Sequence, residues 1–365
     1  MTVPLFDTRT PLAPLVPRLQ EATARVIDSG AFILGPEVDA FEREFAAYLG
    51  AGHVIGVANG TEALTIALRA LGVGPGDEVV VPSFTFYASA EAVPPTGARP
   101  VFCDVDPDTM MVTPETVKAA MTPRTKAVVA VHLFGNVAPV REIEALGVPV
   151  VEDAAQAAGS RGPEGRPGAL GTIATFSFFP SKNLGALGDG GAIATADDAL
   201  AERVRMLRFH GSRDKVTYQE VGYNSRLDEL QAAYLRILLP ELEGWADARR
   251  AAARRYAAAG LGEHVVLPVA TAGADPAWHL YVVRHEDADA LSAELAEAGI
   301  QSRAYYRTPV HRQEAMRPYA DGVELPSTDE LARTHLAIPM GAALTEADTD
   351  AVVAAVAAAG AVAAR

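Results

Sequence analysis

Cysteine is almost missing from this chain of 365 residues: Cys103 stands alone. No disulfide can close within the chain, and no cysteine-rich zinc site can assemble. Long apolar runs are missing too, and none approaches the length that crosses a bilayer. The first residues, MTVPLFDTRTPLAPLVPRL, lack the basic region and apolar block of a secretory signal. A cytoplasmic protein with no membrane partner is expected. Positive charge is in deficit, with 31 Lys and Arg against 46 Asp and Glu and a net charge of −15. That field repels phosphodiester backbones, and no dense basic stripe overrides it, so nucleic acid is not an expected partner. A small anion remains compatible, because backbone amides and a few local cations can make one pocket positive. No G-x-G-x-x-G turn follows the first strand-like run, which argues against a dinucleotide-dependent oxidoreductase. The eight histidines include no H-E-x-x-H pair, so no metal site is expected. His132, His210 and His279 fall in strand-like or loop contexts that suit hydrogen-bonded structural roles.

What is present is an ordinary globular balance, 49% hydrophobic and 21% charged. Between residues 53 and 195, short β-branched runs alternate with helical patterns: HVIGV, EVVVP, RPVFCDV, TKAVVAVHLF, VPVVEDAA, TIATFSFF and GGAIAT. This alternation predicts an α/β domain whose sheet is largely parallel and covered by helices on both faces. TEALTIALRALG, ending in Gly72, and TPETVKAAM, with Thr113 as cap, read as crossover helices. A long helical pattern with Ser225 and Asp228 near its start is interrupted at Pro240 and joins two domains, 1–245 and 246–365. Its many Arg and Glu residues at 241–255 read as a solvated face. The smaller unit reads as α/β, with WHLYVVR a strand, DADALSAELAEAG a helix closed by Gly299 and TEADTDAVVAAVAAAG a terminal helix.

Three places carry candidate chemistry. In VPVVEDAAQAAG an apolar strand ends in Glu152 and Asp153, at the sheet edge where open α/β folds bind ligands. Gly60 and Thr61 stand just before a helix, where free N–H groups and the helix dipole favour a phosphate. Lys182, in FSFFPSKNLGALGDGGA, sits on a turn between two strands, with Ser177 before it and GDGG after it. A lysine held against protein there loses water around its ammonium form, which frees the amine to attack a carbonyl.

Together, NGTEAL, PSFTFYASAEAV, VEDAAQA, FSFFPSKNLGALGDGGA and GYNSRLDELQAA resemble the DegT/DnrJ/EryC1/StrS aminotransferases, pyridoxal-phosphate enzymes that install amino groups on nucleotide-linked sugars. The resemblance runs from about residue 4 to about residue 355. It implies the fold type I, aspartate aminotransferase-like architecture, with a mostly parallel large-domain sheet and a smaller carboxyl-terminal α/β domain. It implies that Lys182 forms the Schiff base with pyridoxal 5′-phosphate and that Asp153 pairs with the pyridine nitrogen, keeping it protonated. It further implies that Gln156 contacts the ring's phenolic oxygen, that Phe86 stacks on the ring, and that Gly60, Thr61 and Ser177 bind the phosphate. Asn224 would reach that phosphate from a neighbouring subunit, making the active site a property of a homodimer.

The chain departs from the family pattern at HLFGN, where Asn136 replaces a longer amide, and at YYRTPVH, where Arg307 follows Tyr306. These loops are expected to touch the sugar or nucleotide, with Tyr306 and His311 as candidate substrate contacts. The resemblance implies a two-stage transamination, from glutamate to the cofactor as pyridoxamine 5′-phosphate and then to a nucleotide-linked ketosugar. A 3-keto sugar is favoured over a 4-keto one. Two other outcomes belong to this chemistry. A sugar dehydratase would carry histidine in place of Lys182, and a cofactor-binding regulator would need an effector module, for which no segment is available.

Overall fold

The structure, a computed structural model, describes residues 2–363, with side chains to residue 359. Seven strands form one sheet: β1 (His53–Val57), β2 (Glu78–Pro82), β3 (Arg99–Cys103), β4 (Thr125–Val131), β5 (Val150–Asp153), β6 (Ile173–Ser177) and β7 (Gly191–Thr195). Their order is β1-β7-β6-β5-β4-β2-β3. Every pairing from β6 to β3 is parallel, and β7 alone runs against its neighbours β1 and β6. The β-branched runs therefore do what their composition predicts: β2 and β7 are buried along their whole length, as strands covered on both faces must be.

One apolar layer joins Val80, Val128, Val129 and Val151 to Ile66, Leu68 and Ile143. The other gathers Phe41, Phe45, Phe176 and Phe178. Within it Phe45 meets Phe176 edge to face at 5.0 Å, the arrangement ring quadrupoles favour. Phe41 and Phe45 come from the helix Pro36–Leu49, which the helix Val16–Ser29 precedes. Neither of these helices is among the sequence expectations. The first turn of Pro36–Leu49 is held by Glu229, a buried carboxylate that accepts N–H bonds from Gly35 at 2.8 Å, Glu37 at 2.9 Å and Val38 at 2.9 Å.

The long interrupted helix resolves into Glu229–Leu238, a 3-10 turn at Leu239–Glu241 containing Pro240, and Leu242–Ala258. Its cap is Asp228, accepting from the Gln231 N–H at 2.8 Å. Ser225 does not cap it; its hydroxyl instead accepts the Ala58 N–H at 3.1 Å. Beyond lies a second sheet of two antiparallel strands, β8 (Tyr281–Arg284) and β9 (His335–Ile338), packed with the helices Ala288–Glu297 and Glu346–Ala363. β8 starts three residues later than the WHLYVVR reading, because Trp278 takes a left-handed φ of 42° that no strand tolerates. The amino terminus bonds beside this second sheet: Val3 bridges Ile300, and Leu5 accepts the Met340 N–H at 3.0 Å. Among the described residues no helix is long and apolar enough to cross a membrane.

Glu229→Gln keeps one acceptor oxygen but turns an NH2 group toward the helix donors it serves. It should lower unfolding free energy by about 1–3 kcal/mol in urea titrations, with an unchanged m-value.

Candidate active site

Four strands deliver their following residues to one edge of the sheet. β2, β5 and β6 are parallel, and β1 shares their direction because both β1 and β6 oppose β7. Register brings their ends closer still, since Val57 and Ser177 both pair with Gly191. A Cβ on Gly191 would lie 2.5 Å from the Asn59 carbonyl carbon, and one on Gly60 would lie 2.7 Å from Ser177 Cβ. Only glycine permits that approach, and it sets Ser177 against the start of the helix Gly60–Ala70. Asn59 is the helix cap, accepting the Glu62 N–H at 2.9 Å. The Gly60 and Thr61 N–H groups stand ahead of the helix ladder and remain for a ligand.

Asp153 closes β5 and is 6% exposed. Ser89 donates to its Oδ2 at 2.7 Å, Thr85 shares a hydroxyl contact with Ser89 at 3.0 Å, and the Ala155 N–H reaches Oδ1 at 3.2 Å. Its neighbour Glu152 faces the other way, bonded to His132 Nε2 at 2.9 Å and to the N–H groups of Gly168, Leu170 and Gly171. His132 thus takes the hydrogen-bonded structural role that its context suggests. Gln156 accepts the Phe134 N–H at 2.7 Å and donates to the Tyr306 hydroxyl at 3.2 Å. Phe86 leaves half its surface open, 55% exposed, with its ring 6.4 Å from that of Tyr306.

Lys182 lies on the turn between β6 and β7, its N–H bonded to the Phe179 carbonyl at 2.8 Å. Burial strips water from the ammonium and brings its pKa down to about 8, against the opposing pull of the Asp153 carboxylate. The adjacent Asn183 is clamped, its amide nitrogen donating to Ala158 O at 3.1 Å and its oxygen meeting His279 Nδ1 at 3.2 Å. His279 is kept neutral first by burial and then by the positive charges of Lys182 and Arg249.

Three non-glycine residues around this network hold left-handed backbones: Phe134 at φ 56°, Trp278 at 42° and Tyr306 at 70°. They touch one another's surroundings. Phe134 stacks on Tyr306 at 5.9 Å, and the loop glycine Gly135 faces the Trp278 and His279 N–H groups. Such conformations persist only where packing imposes them.

Not every sequence-predicted residue joins this set. Tyr306 does, through Gln156 and Phe86, and burial with the Asp153 charge raises its phenol pKa although the Gln156 bond opposes this. His311 is 5% exposed and committed to Ser83, which it meets at 2.6 Å through Nδ1; no bond links it to the Lys182 network among the described residues. Asn224 is exposed on the segment before the Glu229 helix, with its oxygen accepting from Arg226. Asn136 does not reach toward a ligand. It is 3% exposed and its amide is consumed by Thr109, Val137, Val269 and Thr271. The solvated-face reading of 241–255 also needs correction, because Arg250 is 4% exposed and Arg249 turns inward beside it. Ser89, Asn183, His279 and Arg249 border the site with no signal of their own in the sequence. The first two lie inside the motifs quoted above, where only the fold tells a brace from a bystander.

The residues present fit a pyridoxal-type cofactor. A cradle that any Cβ would fill, an open aromatic face, a buried anchored carboxylate and a desolvated amine share one sheet edge. Comparison with known proteins agrees. The model of the DegT/DnrJ/EryC1/StrS aminotransferase family matches residues 15–357. A dTDP-3-amino-3,4,6-trideoxy-alpha-D-glucose transaminase of Streptomyces venezuelae is 46% identical over 347 residues, covering 93% of this chain and 91% of that protein. A protein of Geobacillus stearothermophilus named as a pleiotropic regulatory protein is 43% identical, covering 95% of each. The crystal structure of S. venezuelae DesV in complex with a ketimine intermediate superposes with a TM-score of 0.93 at 45% identity, covering 97% of each chain.

In cofactor-free protein, trinitrobenzenesulfonate labelling of Lys182, followed by peptide mass, should rise through a midpoint near 8. Asp153→Asn removes the carboxylate that favours the ammonium, so its midpoint should fall further. A midpoint at the ordinary lysine value of 10.5 would falsify the desolvated placement of the amine.

Proposed function

Since the chain belongs to the DegT/DnrJ/EryC1/StrS aminotransferase family, we propose that it carries an amino group from glutamate to a nucleotide-linked ketosugar, with C3 the favoured position. The proposal takes pyridoxal 5′-phosphate as carrier, a large unit at 1–245 that binds it and a small unit at 246–365. The observation that carries the reading is the desolvated Lys182 amine beside the anchored Asp153 carboxylate. The position aminated rests on the name of the S. venezuelae relative and on the likeness of VANGTEAL and FFPSKNL to members acting at C3.

The Gly60 and Thr61 N–H groups and the Ser177 hydroxyl would hold the phosphate, and Phe86 would lie against the ring. Bound there, the cofactor supplies an aldehyde that takes up amines and a ring that withdraws electrons from the amine-bearing carbon. Asp153 contributes a fixed negative charge: Ser89 and the Ala155 N–H orient it, so a protonated ring nitrogen meets a carboxylate already aimed. Gln156 has one N–H left after serving Tyr306, enough to donate to a phenolic oxygen. Lys182 Nζ takes the proton from the donor carbon and, in the second half-reaction, delivers one to the sugar carbon. A pKa near 8 suits both directions at neutral pH.

The proposed assembly is a homodimer with shared sites. Asn224 is exposed and keeps its amide nitrogen for a neighbour, and the preceding segment shows apolar Val216, Tyr218 and Val221 at 80%, 62% and 82% exposure. Surface of this kind calls for a partner. A 4-keto sugar is the alternative substrate. The regulator reading has the Geobacillus relative's name in its favour, but the presence of lysine at 182 and of every proposed cofactor contact favours turnover.

The deciding experiment incubates the protein, pyridoxal 5′-phosphate and glutamate with a panel of nucleotide-linked 3- and 4-ketosugars, and identifies products by mass and NMR. Amination of a 3-keto member is expected; no aminated sugar from any member would sink the reading. Lys182→Ala should lower turnover by at least about 10³-fold, since it removes both nucleophile and proton carrier. Mixing Lys182→Ala with Asn224→Ala subunits should restore activity, because one site of each mixed dimer keeps both residues. No recovery after subunit exchange would show that the site does not cross the interface.

A further inference from the structure

We propose that Arg307 is a positioning residue: its guanidinium fastens the loop that presents Tyr306, and through the Tyr306 hydroxyl it sets the direction of the Gln156 amide. The clamp is read from geometry, while its effect on a bound cofactor rests on the transaminase reading. Arg307 stands where the chain departs from its family pattern, and its side chain is committed to two helices rather than to the Lys182 cleft. Its Nη1 donates to the Ala332 carbonyl at 3.0 Å and to the Arg333 carbonyl, at the end of the helix Pro326–Thr334. Its Nη2 pairs with Asp289, in the first turn of the helix Ala288–Glu297. A helix ends in carbonyls that it cannot serve itself, and a cation there is favoured.

The loop needs a fastening of this kind. Arg303 bonds to Ala337 of β9 through both of its backbone groups, at 2.9 and 3.0 Å, and the Val310 N–H reaches the Ser83 carbonyl at 3.0 Å. Between these anchors, across 304–309, no backbone N–H finds a backbone partner among the described residues. Tyr306 lies in the middle of that stretch with a left-handed φ of 70°, which a tyrosine keeps only where its surroundings impose it. On one side the hold is aromatic, with Phe134 stacked at 5.9 Å and Phe84 edge-on at 6.0 Å. On the other side it is the next residue, Arg307. The helix that Arg307 grips runs straight into β9, the strand that Arg303 bridges. Backbone at 303 and side chain at 307 thus hold one continuous segment, with Tyr306 suspended between them toward Gln156.

The consequence runs through one amide. Gln156 Oε1 is occupied by the Phe134 N–H at 2.7 Å, and one hydrogen of Nε2 goes to the Tyr306 hydroxyl at 3.2 Å. The second hydrogen then has one direction left, and in the proposed site it serves the cofactor's phenolic oxygen. If Tyr306 drifts, the amide is free to turn. Stability is not what Arg307 supplies, because an ion pair to a carboxylate as exposed as Asp289 contributes little. The two carbonyl bonds give direction instead. Arg312 offers the contrast: it pairs with Asp329 on the same helix, and among the described residues it reaches none of the carbonyls at that helix's end.

Arg307→Met, Arg307→Lys and Arg312→Met are to be compared with the wild type as full-length protein incubated with pyridoxal 5′-phosphate. Burial and the Asp153 charge hold the Tyr306 phenol above its ordinary 10.0, although the Gln156 bond opposes this. A loosened loop admits water, brings that value down and offers more phenolate to tetranitromethane. Nitration of Tyr306 at a fixed alkaline pH, with peptide fragmentation separating it from Tyr305, should quicken about tenfold in Arg307→Met, the gain in phenolate for one pKa unit. Arg307→Lys should fall between, since one ammonium cannot span the carbonyls and Asp289 as the planar fork does. Arg312→Met should match the wild type. A phenolic oxygen served less well by Gln156 carries its negative charge less readily, so the pH midpoint of the bound cofactor's absorbance change should rise by about half a unit in Arg307→Met. There kcat should fall about tenfold, with the KM for glutamate and for the ketosugar within about twofold of wild type. Unchanged nitration, spectrum and kcat overturn the proposal, and so do equal changes in Arg312→Met. A rise confined to the sugar KM overturns it as well, by placing Arg307 at the substrate. Should Arg307→Met fail to fold, intermediate values in Arg307→Lys uphold the clamp and wild-type values overturn it. Faster nitration in a variant of a protein that aminates no sugar would fail the transaminase reading and leave the clamp standing; normal amination with unchanged nitration would do the reverse.

Discussion

A lysine amine taken out of water at the carboxyl edge of a sheet is poorly stable as an ion, and the site is arranged around that instability. Burial outweighs the Asp153 charge at Lys182, so the amine titrates near 8 rather than at the ordinary 10.5. Ser89 fixes one oxygen of that carboxylate at 2.7 Å, and Asn183, clamped to Ala158 and His279, fixes the turn next to the lysine. The acid and the turn that carries the amine are thus each braced by a neighbouring side chain.

The same precision explains where backbone strain accumulates. Phe134, Trp278 and Tyr306 adopt left-handed φ values, and all three border the network of Gln156, His279 and Asn183. Each such residue costs of order 1–3 kcal/mol, tolerable only because the seven-stranded sheet and its two apolar layers over-determine the local path. Two of these strained residues, Phe134 and Tyr306, bracket the Gln156 amide. Relaxing either would move a hydrogen bond before it moved the fold.

Much of this was readable in the residues themselves. Seven β-branched runs became the seven strands of the main sheet, because a doubly covered strand needs apolar side chains on both faces. Lys182, Asp153, Gly60 and Ser177 arrived at a common edge because parallel strands share a carboxyl end. The four-residue β9 has no boundary mark in the sequence, since it follows the helix Pro326–Thr334 without a turn residue between. Arg249 and Arg250 looked like solvated charges because an Arg- and Glu-rich helix carries no local mark of which face turns inward. Left-handed aromatic residues leave no trace in sequence at all, as nothing in a phenylalanine or tyrosine favours positive φ. The capping residues Asn59 and Asp228 show a smaller version of the same limit: several polar residues stood at each helix start, and only the backbone path decided among them.

The amino-terminal segment has a mechanical consequence. Val3 and Leu5 bond beside the two-stranded sheet, and the chain then runs to the Val16–Ser29 helix, which packs into the phenylalanine layer of the seven-stranded one; much later it returns near the Pro240 turn. The second sheet and its helices are thus held at two separate points, by covalent chain near the turn and by backbone hydrogen bonds at Val3 and Leu5. A body fastened once can swing in any direction, whereas one fastened twice keeps a single free axis, the line through its two attachments. Any rocking of the second sheet against the first is channelled into rotation about that line, and the segment that carries Phe6 and Asp7, which line the cleft at Lys182, is itself one end of the axle.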